Sequence, residues 1–317
     1  MAPERLLIDT DPGIDDALTL LLAMASPEVS LEGISVCCGN CTAEAGYENA
    51  RRVLDLARAG SIPVARGADL PLVQPLIIAD ETHGPTGMGY AELPPSSRPH
   101  ERRHAVNFLT DTLLASPGEM TLLAIAPLTN LALAIRTEPR VVPSLRRVIN
   151  MGGAIKFQGN TTPLAEFNVW CDPHAAHIVY HAGLDLSLVP LDVTYQCILT
   201  PKHVEHLLQF HSPISRFIAD STRFYMEFHD AFQQIEGCVI NDPLALALVF
   251  QPDLVTWEDL YVDVDTNAGV SIGKTFADFY NYNHKEPNMR VAMSVRADDF
   301  LDLFVDRMET LCRQYPD

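Results

Sequence analysis

Basic residues are scarce in this chain. It carries 22 Lys and Arg against 41 Asp and Glu, a formal net charge of -19. So acidic a surface repels phosphate backbones and anionic lipid, which argues against nucleic-acid and membrane partners and favours a small neutral or cationic substrate. Long apolar runs are also missing. The longest early stretch, residues 17–25, is too short to span a bilayer and contains Thr19. The opening MAPERLLIDTDPG has no basic segment followed by an apolar run and a small-residue cleavage site, so a cytoplasmic protein is expected. The cysteines lack a pairing pattern. There are seven, an odd number, and the one C-x-x-C, Cys38 and Cys41, has no second pair or histidines at zinc-ligand spacing. Reduced thiols are expected, with a redox role for Cys38 and Cys41 as the alternative.

With 317 residues and 47% hydrophobic content, the chain can bury a sizeable core as one large α/β domain or two small ones. No Pro/Gly/Ser linker, charge run or internal repeat divides it, and a single domain over residues 1–317 is expected. Short apolar runs alternate with segments of helical period, the pattern of an open, mostly parallel sheet flanked by helices. Strands are predicted at residues 6–8, 31–36, 62–65, 120–126, 147–151, 184–191 and 289–295. Helices are predicted at 16–25, from an N-cap at Thr42 to Gly60, at 104–115, 128–135 and 172–181, over much of 201–250, and from about Asp298. Residues 68–100 are rich in Pro and Gly and lack any period, as long functional or disordered loops do.

The strongest chemical signal is Asp9-Thr10-Asp11-Pro12-Gly13-Ile14-Asp15-Asp16. It follows an apolar strand and opens a helix, the edge where open α/β sheets bind ligands. Four carboxylates in eight residues repel one another, and a hard cation is the simplest compensation. Gly39-Asn40, Pro127-Leu128-Thr129-Asn130, Asn160 with Glu166-Phe167-Asn168, and Asn241-Asp242-Pro243 also lie at predicted strand ends or helix starts. Each alone reads as an ordinary turn or cap; their joint placement on one sheet edge carries the weight.

The motifs DTDPGIDD, CCGN, THGPTGMG, PLTN, MGG, AEFN-x3-DP and NDP occur in this order over almost the full length. In this the chain resembles the inosine-uridine-preferring nucleoside hydrolase family. The resemblance implies a Rossmann-like nucleoside hydrolase fold, a homodimer or homotetramer, a role in purine or pyrimidine salvage, and hydrolysis of the N-glycosidic bond of ribonucleosides. It implies Ca2+ held by Asp11, Asp16, Asp242 and the backbone carbonyl of Ile125, with a calcium-bound water activated by Asp11 as general base. It also implies that Asp15 and Asn168, with Asn40 near by, bind the ribose hydroxyls, that Asn160 and Glu166 hold the 5′-hydroxyl, and that His83 sits on a loop over the base. Asp9 and Asp192, at strand ends, are read as supports behind the site.

One position departs from the family. A histidine proposed to help the base leave is replaced by Asn241, which cannot act as a general acid near neutral pH. His229 is the candidate substitute acid, and Tyr225, Phe228 and Phe232 on the same predicted helix are candidates to cover the base. Two other readings remain at this level. One is a Ca2+-dependent nucleoside or ribose binder with weak or lost turnover. The other is a phosphatase of the haloacid-dehalogenase type, which also begins with a strand and D-x-D.

Overall fold

A computed structural model describes residues 2–316. Strands β1 (Glu4–Thr10), β2 (Val29–Val36), β3 (Val64–Arg66), β4 (Met120–Ala124), β5 (Leu145–Met151) and β6 (Leu186–Val189) lie in the main sheet. Strands β7 (Ile198–Leu199) and β8 (Cys238–Val239) form a small ribbon. They are followed by β9 (Val255–Leu260), the hairpin of β10 (Val262–Val264) and β11 (Thr275–Ala277), and β12 (Met289–Val295). The eight-stranded sheet has the order β3-β2-β1-β4-β5-β6-β12-β9. Its pairs are parallel except β12 with β9, which is antiparallel.

Alternation along the strands explains the layers. Leu6 and Ile8 face one buried cluster with Leu123, Ile149 and Val189, while Leu7 faces the other with Leu122, Val148 and Leu188. Side chains of successive strand residues point to opposite faces, so a sheet covered on both sides needs apolar residues at every position. The chain winds outward from β1 to β3, then returns to lay β4 on the other side of β1. The loops after β1 and β4 therefore diverge and leave a crevice at the carboxyl edge, the topological switch point.

The predicted strands and helices are present, several with shifted ends. The helix after Thr42 ends at Leu56, not Gly60. Arg58 makes the turn in the left-handed region (φ 48°), and the Ala59 N–H reaches back to the Leu54 carbonyl at 2.9 Å. The 201–250 region is three helices, Pro201–Leu208, Pro213–Gln233 and Asn241–Phe250, with β8 before the last. Strands β7 to β11 were not predicted. β9 is an edge strand with mostly exposed or half-buried residues, so it lacks the apolar run that marks the central strands. No helix of the described residues is long and apolar enough to cross a membrane.

Candidate active site

The loop after β1 is held by Asp16, in the first turn of helix Ile14–Ala25. Its Oδ1 accepts hydrogen bonds from Thr10 Oγ1 (2.5 Å) and the Asp11 N–H (3.3 Å). Its Oδ2 accepts from the Gly13 N–H and from Asn40 Nδ2, both at 2.9 Å. Both carboxylate oxygens thus fold the loop back onto the helix start, as an acidic residue in the first turn does. Gly39 permits the next contact. A Cβ there would meet Asp11 Oδ2 at 1.9 Å, so only glycine lets the Asn40 N–H approach that oxygen to 2.6 Å. Asp11 Oδ1 is buried with no hydrogen-bond partner.

Asp15, one residue before Asp16, turns toward the start of helix Asn241–Phe250. Its Oδ2 accepts from Asn241 Nδ2 at 3.1 Å and Tyr225 OH at 3.4 Å. Asn241 Oδ1 has no partner. Carboxylate oxygens of Asp15, Asp16 and Asp242 all lie within 4.8 Å of one another, and all three residues are buried. Asp11 stands outside this group of three, although the charge of Asp16 acts on it directly. Burial, then the negative charge of the neighbouring carboxylates, raises Asp11 and Asp242 well above the usual carboxylate range; burial also raises Asp15 and Asp16.

A metal fits this arrangement. Buried carboxylates packed this closely need a compensating positive charge, and a hard cation with six to eight oxygen ligands supplies it. The orphaned Asp11 Oδ1 and Asn241 Oδ1 are further oxygen donors. The Ile125 carbonyl, just past β4, lines the same pocket and accepts from Asn168 Nδ2 at 3.0 Å.

The pocket has about 570 Å³ of empty space, part of it open to solvent, a size suited to a small molecule. Asp15, Asn40, His83, Ile125, Asn160, Glu166, Asn168, Tyr225, His229, Asn241 and Asp242 line it; Asp11 and Asp16 are fully buried and outside the lining. Glu166 caps the short helix Phe167–Cys171 by accepting from the Asn168 N–H (2.8 Å) and Val169 N–H (3.1 Å), and it also takes the Gly153 N–H (2.8 Å). Asn160 Oδ1 accepts from the Phe167 N–H at 3.0 Å. Asp9 and Asp192 are outside the lining. Asp9 takes Ser35 Oγ (2.5 Å) and Asn130 Nδ2 (2.9 Å), and Asp192 gathers the N–H groups of Ile155, Lys156 and Phe157 at 2.7 to 3.2 Å. Sequence reasoning missed Tyr195 and Met151, both pocket-lining and both at the carboxyl edge past β6 or at the end of β5. Phe232, expected over the base, is 68% exposed and packs on Phe228 instead.

Two buried histidines face each other across Tyr225, whose ring lies 5.3 Å from His83 and 4.5 Å from His229. His83 Nδ1 accepts the Ile14 N–H at 3.1 Å, so the neutral ring carries its proton on Nε2. His229 Nδ1 lies 2.8 Å from the Tyr225 carbonyl, which only accepts, so its proton is on Nδ1 and Nε2 offers a lone pair. Burial lowers both to about 4, and both rings are neutral at pH 7. A depressed histidine contributes stability that is fully present above its unfolded value near 6.5 and is lost as pH falls through the folded value. Wild type is therefore expected to lose up to about 3 kcal/mol relative to His229→Gln between pH 6.5 and 4. Denaturant titration at several pH values checks this, and parallel stability curves for the two proteins would rule out a buried neutral ring.

The seven cysteines are buried and unpaired. Burial raises the Cys41 thiol, which leaves it protonated and unreactive.

Sheet and pocket together define a nucleoside hydrolase class of α/β enzyme. The structure matches a purine-preferring ribonucleoside hydrolase from Gardnerella vaginalis with a TM-score of 0.93 and 31% identity, over 98% of this chain and 100% of that one. An inosine-uridine preferring nucleoside hydrolase from Crithidia fasciculata is 34% identical over 98% of each chain. A pyrimidine-specific ribonucleoside hydrolase, RihA, from Salmonella gallinarum is 36% identical over 96% of this chain and 98% of its own. The chain belongs to the inosine-uridine preferring nucleoside hydrolase family, whose profile matches residues 6–302.

Proposed function

We propose that this nucleoside hydrolase cleaves the N-glycosidic bond of ribonucleosides to ribose and free base with Ca2+ as its metal. The observation that carries the reading is the buried group of Asp15, Asp16 and Asp242 beside the unpartnered Asp11 Oδ1. Asp11, Asp16, Asp242 and the Ile125 carbonyl would hold the ion, with Asp15 close enough to share it. When bound, Ca2+ would balance the carboxylates and make the attacking water more acidic.

Asp11 is the general base. Its Oδ2 is engaged by the Asn40 N–H, so Oδ1 takes the proton. Asp15 and Asn168 hold the ribose hydroxyls, with Asn40 near by, and Asn160 and Glu166 hold the 5′-hydroxyl. The carboxylates around the ring stabilise the positive charge that builds at the anomeric carbon. Among the described residues the lining has no lysine or arginine, so a phosphate ester finds no counter-charge, which disfavours the phosphatase reading.

The leaving base is handled by neutral groups. His83 Nε2–H donates, His229 Nε2 accepts, and Asn241 serves as an amide in place of an imidazolium. His229 acts as an acid only after taking up a proton against its burial. The relatives are named for different preferences, from inosine-uridine to pyrimidine to purine. The residues that choose the base here are His83, Tyr225, Phe228, His229 and Asn241. We further infer one domain over residues 1–317, since the sheet runs from β1 to β12, and a cytoplasmic homodimer or homotetramer, which the unpaired cysteines suit.

A reducing-sugar assay over purine, pyrimidine and p-nitrophenyl ribosides, with and without chelator, tests the proposal. Turnover is expected on ribonucleosides, fastest on the activated p-nitrophenyl riboside, and lost on chelation with recovery by Ca2+. Binding without sugar release would leave a nucleoside-binding protein, and full activity in chelator would remove the metal.

A further inference from the structure

A second cluster of metal-ligating side chains lies outside the pocket. Helix Pro173–Tyr180 carries His177, and His181 follows as its C-cap residue. The i, i+4 spacing puts both imidazoles on one face, with ring centroids 4.6 Å apart. Asp263, on β10, meets them. Its Oδ1 lies 2.9 Å from His177 Nδ1 and 3.0 Å from His181 Nε2. One atom from each of the three residues lies within 4.8 Å of the other two.

We propose that His177, His181 and Asp263 form a surface site for a divalent transition cation of the Zn2+ type. The donor set is two imidazole nitrogens and one carboxylate oxygen, which suits zinc better than calcium or magnesium. The nitrogen–oxygen spacing is nearly right. Ligand distances of 2.0–2.2 Å in a tetrahedron separate neighbouring donor atoms by about 3.3–3.4 Å, so the present N···O distances need to open by only about 0.3–0.5 Å. Binding leaves the proton count of neutral rings unchanged. Each ring moves its one proton to the far nitrogen, His177 Nε2 or His181 Nδ1, and gives the near lone pair to the ion.

Asp263 is prepared for this role. Its Oδ1 accepts the Val264 N–H at 2.8 Å, which fixes the carboxylate toward the two rings. Tyr261 OH donates to Asp263 Oδ2 at 3.1 Å and in turn accepts from Lys285 Nζ at 2.6 Å. Such partners orient a ligating carboxylate. The ring exposures leave an entry path and room for water in the fourth position, with His177 at 48% and His181 at 27%.

A metal there ties the helix to the β10–β11 hairpin. That hairpin reaches the loop after β5. Thr275 Oγ1 accepts the Ala154 N–H at 2.8 Å, and Lys274 Nζ donates to the Ala154 carbonyl at 2.7 Å. The neighbouring Gly153 N–H is bound by Glu166 in the pocket. The site is therefore a staple on the scaffold, and hydrolysis itself does not pass through it.

The test uses full-length protein without an affinity tag. Zn2+ is titrated calorimetrically and Co2+ spectroscopically, in the presence of Ca2+. Wild type is expected to bind one more equivalent of Zn2+ than His177→Ala/His181→Ala, with riboside hydrolysis unchanged in that variant. Zn2+ at about a hundredfold above its Kd should raise the wild-type Tm by about 4 °C and leave the double variant unmoved. The milder His177→Gln variant, which retains bulk and polarity, should bind Zn2+ at least about tenfold more weakly. Equal stoichiometry and affinity in wild type and variants, or no Zn2+ binding by wild type, would overturn the proposal and leave a hydrogen-bonded His–Asp–His surface cluster.

Discussion

Asp11→Ala is expected to fold and to lose nearly all turnover. Removing a general base costs on the order of 10² to 10⁴ in rate, and weakening the cation site adds to that loss. Folding should survive because two effects oppose each other. The Asn40 N–H loses its acceptor at 2.6 Å, which costs about 1–3 kcal/mol when a buried donor is left unpaired. One negative charge also leaves a group of carboxylates whose burial, and then mutual repulsion, raises Asp11 and Asp242. Asp11→Asn separates the two roles. Its amide oxygen still accepts the Asn40 N–H, while its nitrogen takes no proton from water. Single-turnover rates and calcium affinity measured on both variants decide the matter. A folded Asp11→Asn protein with near wild-type kcat would place the base elsewhere.

2′-Deoxyribonucleosides are expected to be hydrolysed with a kcat/KM lower by on the order of 10⁴, because a site built to hydrogen-bond a substrate hydroxyl is left with unpaired buried groups when that hydroxyl is absent. On the proposed function the groups concerned are Asp15 and Asn168. Asp15 Oδ2 accepts from Asn241 Nδ2 and Tyr225 OH, and Asn168 Nδ2 donates to the Ile125 carbonyl, bonds that hold both side chains in the pocket wall. Competition between uridine and deoxyuridine in one tube gives the ratio directly. Asn168→Ala should compress it by lowering ribonucleoside turnover alone. A ratio near one in wild type would mean that neither residue reads the 2′-hydroxyl.

Much of this site was legible from chain order. A strand ending in D-x-D followed by a helix can put its carboxylates only at the carboxyl edge of a sheet, whatever surrounds it. Asp16, Asp242, Asn40 and Asn168 all gather there. What pattern could not supply was side-chain direction. The resemblance makes Asp15 a sugar-binding residue and gives no sign that its carboxylate also lies with those of Asp16 and Asp242. The two residues are adjacent, and helical spacing alone gives no reason for both to approach one point. Asp242 brings them to account: it comes from a helix more than 200 residues later, and its position is set by packing of that helix on Ile14–Ala25. Phe232 shows the opposite failure. Its helix was read correctly, but one residue's rotation about the axis decides between pocket and solvent, and an exposed phenylalanine has no mark in the sequence.

The histidines mark the same boundary. The sequence places His83 in a loop with no period and His229 on a helix; His229 does lie on helix Pro213–Gln233, whereas His83 closes a short helical turn, Asp80–His83. The sequence left open whether either ring is buried or charged. Those properties depend on Ile14 offering an N–H to one ring and the Tyr225 carbonyl facing the other, contacts set by packing across 69 residues in the first case and by the helix backbone four residues away in the second. Local order along the chain thus determined the strand-loop-helix units, the parallel sheet and the edge where its chemistry gathers, because propensity and periodicity act over a few residues. Tertiary structure alone decided which carboxylates share a point, which nitrogen carries each proton and which rings face the pocket, because burial and hydrogen-bond partners come from elements far apart in sequence.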